Sequence, residues 1–125
     1  MTGTDRADGF ASALQQLEGG DEDALLAQFA DSVTLFRPEV KHQEGESDPQ
    51  AFWKAYRDQF SDISTEFTHV AEAGDIAMLE WESTGTLTTD RPISYRGVSL
   101  LTFDDDGKVS RFATYYDTAA FTNPD

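Results

Sequence analysis

Cysteine is missing from this sequence of 125 residues, and histidine occurs only as His42 and His69. Without cysteine the chain can form no disulfide, thiolate nucleophile, zinc–thiolate site or iron–sulfur cluster. Two histidines are too few for most imidazole-rich metal sites. We therefore expect neither a metal site nor a cofactor.

Basic residues are scarce: nine Lys and Arg stand against 24 Asp and Glu, which gives a formal net charge of −15. A surface of this charge repels phosphate backbones and anionic lipid headgroups, so we expect no nucleic-acid partner and no membrane partner. Aspartate supplies most of the acid, and lysine occurs only at three positions. This bias is typical of a salt-adapted cytoplasm, although an ordinary acidic protein kept soluble by its charge has the same composition.

Long apolar runs are also absent. No stretch of 18 apolar residues occurs, and residues 1–20 do not have the pattern of a secretory signal. We expect a soluble, cytoplasmic protein. The length predicts a single domain over residues 1–125.

Helical spacing of apolar residues begins near the N-terminus. In segment 10–17 they recur at intervals of three and four, and Gly19-Gly20 predicts the end of this helix. Asp21 is a good N-cap for a second short helix that contains Leu25 and extends to Phe29. The sequence thus predicts a helical pair.

A third helix is predicted after Asp48, which can cap the free backbone amides, because Pro49 suits the first helical position. One face of this helix carries four aromatic residues: Phe52, Trp53, Tyr56 and Phe60. This face is expected to be buried.

The remaining apolar segments have patterns typical of β-strands. Val33 to Phe36 is typical of a short strand, and the period then changes to two over segments 63–70, 76–87, 93–103 and 109–117. Short turns rich in Gly, Asp and Pro separate these four segments, so consecutive strands should be antiparallel. The sequence predicts an α+β fold with three helices packed on one face of a curved, mostly antiparallel sheet.

Over about residues 8–121, the expected core of the domain, this order of elements and four segments resemble the SnoaL-like branch of the nuclear-transport-factor-2-like superfamily. The segments are Asp31-Ser-Val-Thr-Leu-Phe-Arg-Pro38, Trp81-Glu-Ser-Thr-Gly-Thr86, Tyr95-Arg-Gly-Val-Ser-Leu-Leu-Thr-Phe103 and Gly107-Lys-Val-Ser-Arg-Phe-Ala-Thr-Tyr-Tyr-Asp117. The resemblance implies a cone-shaped fold with a mostly apolar pocket for a small apolar or aromatic organic ligand. It also implies a homodimer formed through the outer face of the sheet. Members catalyse several unrelated reactions, so the fold alone does not decide the chemistry.

Three residues are candidates for acid/base work. The resemblance places Asp117 where cyclase-like members carry an aspartate that faces the pocket, and an apolar surround would raise its pKa. Tyr115 should share its face of the strand and could donate a hydrogen bond to an oxyanion. His42 lies in the loop expected near the pocket mouth. The alternatives are that Asp117 caps the strand end, that Tyr115 packs, and that His42 is solvated.

Seven residues are expected to line the pocket and bind the ligand: Phe36, Trp53, Tyr56, Trp81, Glu82, Arg96 and Phe112. The position of Glu82 is open, because it shares a strand face with Glu80, opposite Trp81. Either both glutamates face solvent, or one of them enters the cavity beside Arg96.

The expected function is binding of a small, mainly apolar organic molecule in the cone, with acid/base chemistry by Asp117 on a carbonyl-containing substrate. Cyclase-type members pair this aspartate with a histidine on the neighbouring strand, and segment 93–103 contains none. The alternative is a non-catalytic module that binds a ligand or another protein.

Overall fold

The computed structural model describes residues 5–38, 48–117 and 119–122. It is an α+β fold with one five-stranded sheet, which confirms the predicted class. The helices are α1 (Asp5–Glu18), α2 (Asp23–Leu26), α3 (Pro49–Arg57) and α4 (Ala119–Thr122). The strands are β1 (Phe29–Phe36), β2 (Phe60–Ala73), β3 (Ile76–Leu87), β4 (Pro92–Phe103) and β5 (Val109–Tyr116).

The sheet has the order β1-β5-β4-β3-β2. Strands β2 to β5 pair with their chain neighbours in antiparallel register, as the short turns predicted. β1 pairs with β5 in parallel register, which closes the other edge of the sheet. The sheet is therefore mixed, and its one parallel pair joins the N-terminal half of the chain to the last strand.

The sheet curves around α3. This helix contacts both β1 and β2, the two edge strands of the sheet, and it can reach both only if the sheet bends towards it. Register shifts in β2, between Phe60 and Asp62 and between Phe67 and His69, help it to bend, because bulges add local twist. The concave side holds the aromatic face of α3 and the apolar stripe of α1.

Local sequence explains how the helices begin and end. The Asp48 carboxylate accepts a hydrogen bond from the Ala51 N–H at 3.3 Å, and Pro49 is the first helical residue of α3. α1 ends at Glu18, and Gly20 adopts a φ of 108°, which suits glycine. Both predictions from the sequence are confirmed.

Three elements differ from the sequence prediction. α3 ends at Arg57, so Phe60, which was predicted on its aromatic face, is instead the first residue of β2. The segment after α2 leaves the helix at Leu26, and Phe29 is already the first residue of β1, because its register partner Val109 draws it into the sheet. A short helix α4 follows β5 and packs against β4. In the described part of the chain, none of these helices is long and apolar enough to cross a membrane.

Candidate functional site

A narrow cavity of about 30 Å³ lies between α1, α3 and the concave face of the sheet. This volume has room for one or two water molecules. Its lining combines aromatic rings with hydroxyl groups and two charged side chains: Leu14, Glu18, Arg37, Phe52, Trp53, Tyr56, Thr65, Trp81, Ser83, Ser99, Phe112, Thr114 and Tyr116.

Aromatic rings from α3 and β5 form one wall of this cavity. The ring of Trp53 lies 5.2 Å from that of Phe112 and 5.9 Å from that of Tyr56, centroid to centroid. Phe52 makes an edge contact with Phe112 at 6.1 Å. These distances are in the range of favourable aromatic pairs, so the wall is a packed cluster.

The opposite wall carries four buried hydroxyl groups, one on each of β2 to β5: Thr65, Ser83, Ser99 and Thr114. They lie on the inner face because side chains alternate along a strand. We call these four residues the hydroxyl row. Burial of a hydroxyl is unfavourable unless it is hydrogen-bonded, and each member has a partner.

The row is divided into two hydrogen-bonded chains. In the first, the Thr65 hydroxyl donates to the carboxylate of Glu18, and the hydroxyls of Thr65 and Ser83 lie 2.6 Å apart. In the second, the Trp81 indole N–H donates to Ser99 at 3.0 Å, and Ser99 donates to Thr114 at 2.8 Å. Thr114 in turn donates to the backbone carbonyl of Val98 at 3.4 Å.

Glu18 ends α1 and directs its carboxylate into this polar row. Its other oxygen accepts the backbone N–H of Thr65 at 2.9 Å. Burial raises the pKa of Glu18 above its ordinary value, and the two Thr65 hydrogen bonds and the positive charge of Arg57 only partly offset the shift. A carboxyl group of raised pKa beside a cavity is a typical acid/base candidate.

Two further donors face the aromatic side. Trp53 is 5% exposed, and its indole N–H has no hydrogen-bond partner among the described residues. Arg37 follows β1 and is also buried; it donates to the Phe52 carbonyl at 2.9 Å, and its guanidinium lies 4.5 Å from the Phe52 ring centroid. The lining therefore combines two residues with N–H groups, Trp53 and Arg37, with the hydroxyl groups of the sheet.

Four of the seven predicted ligand-binding residues line the cavity: Trp53, Tyr56, Trp81 and Phe112. All four are aromatic. The aromatic stripe of α3 and the inward residues of β3 and β5 are thus placed together, as the periodicity predicted.

Three other predicted residues lie on the outer face of the sheet. Glu82 and Arg96 are direct register partners on β3 and β4, and both are exposed. Their neighbours Trp81 and Tyr95 point inward, so strand alternation sends Glu82 and Arg96 to the opposite face. Phe36 packs against the ring of Tyr115 at 5.6 Å, which is also away from the cavity lining.

The predicted acid/base residues do not line the cavity either. Asp117 is exposed, and its carboxylate accepts the Ala119 N–H at 2.9 Å at the start of α4. Tyr115 is 41% exposed on the outer face. His42 lies outside the described residues. The structure thus places Asp117 and Tyr115 in the positions expected for a capping residue and a packed surface residue, and their catalytic role stays a prediction.

Sequence reasoning missed Glu18, Arg37 and the hydroxyl row. One signal was available for Glu18: it is four residues after Leu14 and seven after Ala11, on the buried stripe of α1. A carboxyl group on an apolar stripe predicts a buried acid. No comparable signal marks Ser83 or Ser99, because a serine in a strand is common on either face.

A metal centre is not evident in the described part of the chain, where no three His, Cys, Asp or Glu side chains lie close enough together to hold an ion.

Comparison with known proteins supports the fold. The family model described as the SnoaL-like domain matches residues 10–112. An NTF2-like protein of unknown function from Burkholderia pseudomallei superimposes with a TM-score of 0.80 at 17% identity, covering 97% of this chain and 95% of that one. No curated protein gives a significant sequence match.

Two further solved structures have the same fold. AclR, a candidate hydroxylase from Streptomyces galilaeus, has a TM-score of 0.76 at 16% identity, covering 99% of this chain and 85% of its own. TerC, which was co-crystallised with polyporic acid, has a TM-score of 0.77 at 17% identity, covering 96% of this chain and 95% of its own. At these identities the likeness concerns the fold and not the reaction.

Proposed function

Because this chain belongs to the SnoaL-like domain family, we propose that it binds a small, mainly apolar organic molecule with an aromatic ring inside the cone. The observation that carries this proposal is the cavity lining: aromatic rings on the helical wall face hydroxyl groups on the sheet wall. Rings offer stacking area, and a few convergent polar groups set orientation, which is the usual composition of a small-molecule site.

The cavity volume indicates how the ligand enters. About 30 Å³ is too little for a six-membered ring, so the side chains of the aromatic wall must rotate when a ring binds. Trp53 and Phe52 lie on the short helix α3, and their rings pack against Phe112 of β5. Entry of a ring therefore requires these side chains to move away from Phe112.

We assign the acid/base role, if the protein is an enzyme, to Glu18 in preference to Asp117. Glu18 touches the cavity and is partly buried, whereas Asp117 is exposed and caps α4. A carbonyl-containing substrate stays part of this proposal, because Glu18 can hold a proton near the sheet wall. The exposure of Asp117 favours the alternative of a non-catalytic binding module.

Intrinsic fluorescence tests the binding proposal directly, because the chain has only two tryptophans, Trp53 and Trp81, and both line the cavity. Phenol, toluene and glucose are titrated separately. We expect saturable changes in tryptophan emission with phenol and toluene and none with glucose.

A blocking variant and its control complete the test. Ser99→Leu fills the cavity, and Ser94→Leu makes the same change on the exposed face of the same strand. Overpacking costs about 1–3 kcal/mol, so the folding of Ser99→Leu is checked by circular dichroism. If toluene and phenol give no saturable signal, or if folded Ser99→Leu binds as the natural sequence does, the proposal is wrong.

A further inference from the structure

The direction of each hydrogen bond in the hydroxyl row determines whether a hydroxyl group can donate a hydrogen bond to a ligand or only accept one. An indole N–H can only donate and a carbonyl can only accept, so the chain from Trp81 through Ser99 and Thr114 to the Val98 carbonyl runs in one direction. Ser99 and Thr114 each use their single proton within this chain. Each hydroxyl therefore has only a lone pair left for the cavity.

The first chain has a direction that depends on Glu18. When Glu18 is ionised it can only accept, so the Thr65 hydroxyl donates to it. Thr65 then has no proton for Ser83, and the hydrogen bond between the two hydroxyls requires Ser83 to donate. Ser83 consequently also presents a lone pair to the cavity. In this state Ser83, Ser99 and Thr114 are all acceptors towards the cavity.

Protonation of Glu18 reverses the first chain. The carboxylic acid donates to the Thr65 oxygen, and the Thr65 hydroxyl donates to Ser83. The Ser83 hydroxyl is then free to donate a hydrogen bond into the cavity. The chain from Trp81 does not change, because no titratable side chain takes part in it. The protonation state of one carboxyl group thus decides whether Ser83 is an acceptor or a donor.

We propose that Glu18, acting through Thr65, sets the hydrogen-bonding polarity of Ser83, and that with Glu18 ionised the cavity selects ring compounds that carry a hydroxyl proton. This inference rests on the proposed function, since it assumes that a ring compound enters the cone. Glu18 is a positioning residue here, because it reaches the ligand through two hydroxyl groups.

Glu18 is also placed to exchange its proton with solvent. It lines the cavity and, with Thr65, a surface depression on the other side that includes Gln15 and Ser64. Among the described residues, the charge that acts on Glu18 is that of Arg57 on α3, and the same cavity lining contains Arg37 after β1 and the phenol groups of Tyr56 and Tyr116. β2 and β3 face it with the neutral hydroxyls of Thr65 and Ser83. Burial nevertheless raises its pKa, so the polarity of Ser83 changes at a higher pH than that at which an ordinary glutamate titrates.

Phenol and anisole test the inference, because anisole is the methyl ether of phenol and has no proton to donate. Their dissociation constants are measured by tryptophan fluorescence at pH 8, far above the ordinary glutamate value of 4.5. One hydrogen bond gives a preference of about three- to tenfold for phenol. We expect this preference in the natural sequence, and we expect it to shrink at a pH below the ordinary glutamate value of 4.5.

Two variants separate polarity from packing. Glu18→Gln has an amide N–H₂ that donates to Thr65 at every pH, so it should lower the phenol-to-anisole ratio at pH 8 to the value that the natural sequence has at low pH and remove its pH dependence. Ser83→Ala should lower the ratio without making it depend on pH. Glu66→Gln is the matched control, because Glu66 is next to Thr65 on β2 and is exposed on the other face; it should behave as the natural sequence does.

The outcomes separate the two proposals. Equal binding of phenol and anisole by the natural sequence at pH 8, or an unchanged ratio in folded Glu18→Gln, overturns this inference and leaves the proposed function in place. If neither compound binds, the proposed function is wrong and this inference with it.

Discussion

Glu18 carries a carboxyl group in surroundings that disfavour its charged form. It lies on the buried stripe of α1 with Leu14, and its carboxylate is held by the backbone N–H and the hydroxyl of Thr65. These two hydrogen bonds lower the cost of its burial but do not cancel it, which is why its pKa is raised. Such a residue connects stability with function, because the group that reduces stability when ionised also controls the polarity of the cavity.

Replacement of Glu18 by glutamine should change how stability depends on pH. Since the folded-state pKa of Glu18 is raised, the folded protein binds more protons than the unfolded chain between the ordinary value of 4.5 and the raised value. Stability from this residue is therefore fully present below that window and is lost as pH rises through it. We expect the free energy of unfolding of Glu18→Gln to rise relative to that of the natural sequence as the pH increases above 4.5.

Urea unfolding at several pH values measures this difference. Glu66→Gln, which removes the same charge from the outer face, is the control and should give a nearly constant difference. A difference for Glu18→Gln that does not vary with pH would contradict the raised pKa.

At the scale of elements, α3 matters most for the site. It brings Phe52, Trp53 and Tyr56 to the cavity, yet it is only nine residues long. In its last turn, Lys54 forms an exposed ion pair with Asp58. Helices this short depend on their caps and on tertiary packing. Its position is therefore sensitive to a change at its N-terminus, where the Asp48 carboxylate accepts the Ala51 N–H.

Loss of this cap should destabilise the protein by about 0.5–2 kcal/mol, the usual cost of replacing an aspartate N-cap by alanine. We expect Asp48→Ala to have this effect in urea unfolding and to weaken phenol binding, because α3 carries the aromatic wall. Asp58→Ala at the other end of the helix is the control, since its ion pair with Lys54 is exposed. If Asp48→Ala matches Asp58→Ala in both measurements, the cap does not position the wall.

At the scale of the whole molecule, the net charge and the outer face of the sheet have opposite effects on self-association. The net charge of −15 disfavours both the compact state and association. The outer face nevertheless carries an apolar patch that consists of Phe36, Met78, Val98, Leu100 and Tyr115, placed together by strand register. We call it the outer patch.

Added sodium chloride should raise the melting temperature. The Debye length falls from about 10 Å at 0.1 M to about 3 Å at 1 M, so salt screens the self-repulsion of the acidic surface. Differential scanning calorimetry between 0.05 and 1 M salt checks this expectation. A flat or falling melting temperature would mean that the acidity serves solubility and not a saline environment.

We also expect the protein to form a homodimer through the outer patch once charge repulsion is screened. Met78 is 37% exposed there, and Leu100 is its register partner. Light scattering at 1 M sodium chloride should give twice the mass of one chain. Met78→Glu should give a monomer, whereas Thr84→Glu, farther along the same face of β3, should remain dimeric. A monomeric natural sequence at high concentration would contradict the prediction.

Much of the architecture could be predicted from the sequence because its signals are local. The Asp48-Pro49 start of α3, the end of α1 at Gly19-Gly20 and the strand over residues 76–87 each depend on neighbouring residues. The same periodicity placed Trp53 and Phe112 on buried faces. These properties follow from backbone preferences and from burial of apolar side chains, which act over a few residues.

The polar part of the site depended on tertiary structure. Glu18, Thr65 and Ser83 come from three elements, and their hydrogen bonds span 47 and 18 residues of chain. Period-two alternation places Ser83 and Glu82 on opposite faces, but it does not say which face is concave. That choice is made when α1 and α3 cover one side of the sheet and β1 pairs with β5. The sequence alone thus determined the elements and their apolar faces, whereas only long-range packing decided which hydroxyl and carboxyl groups meet inside the cone.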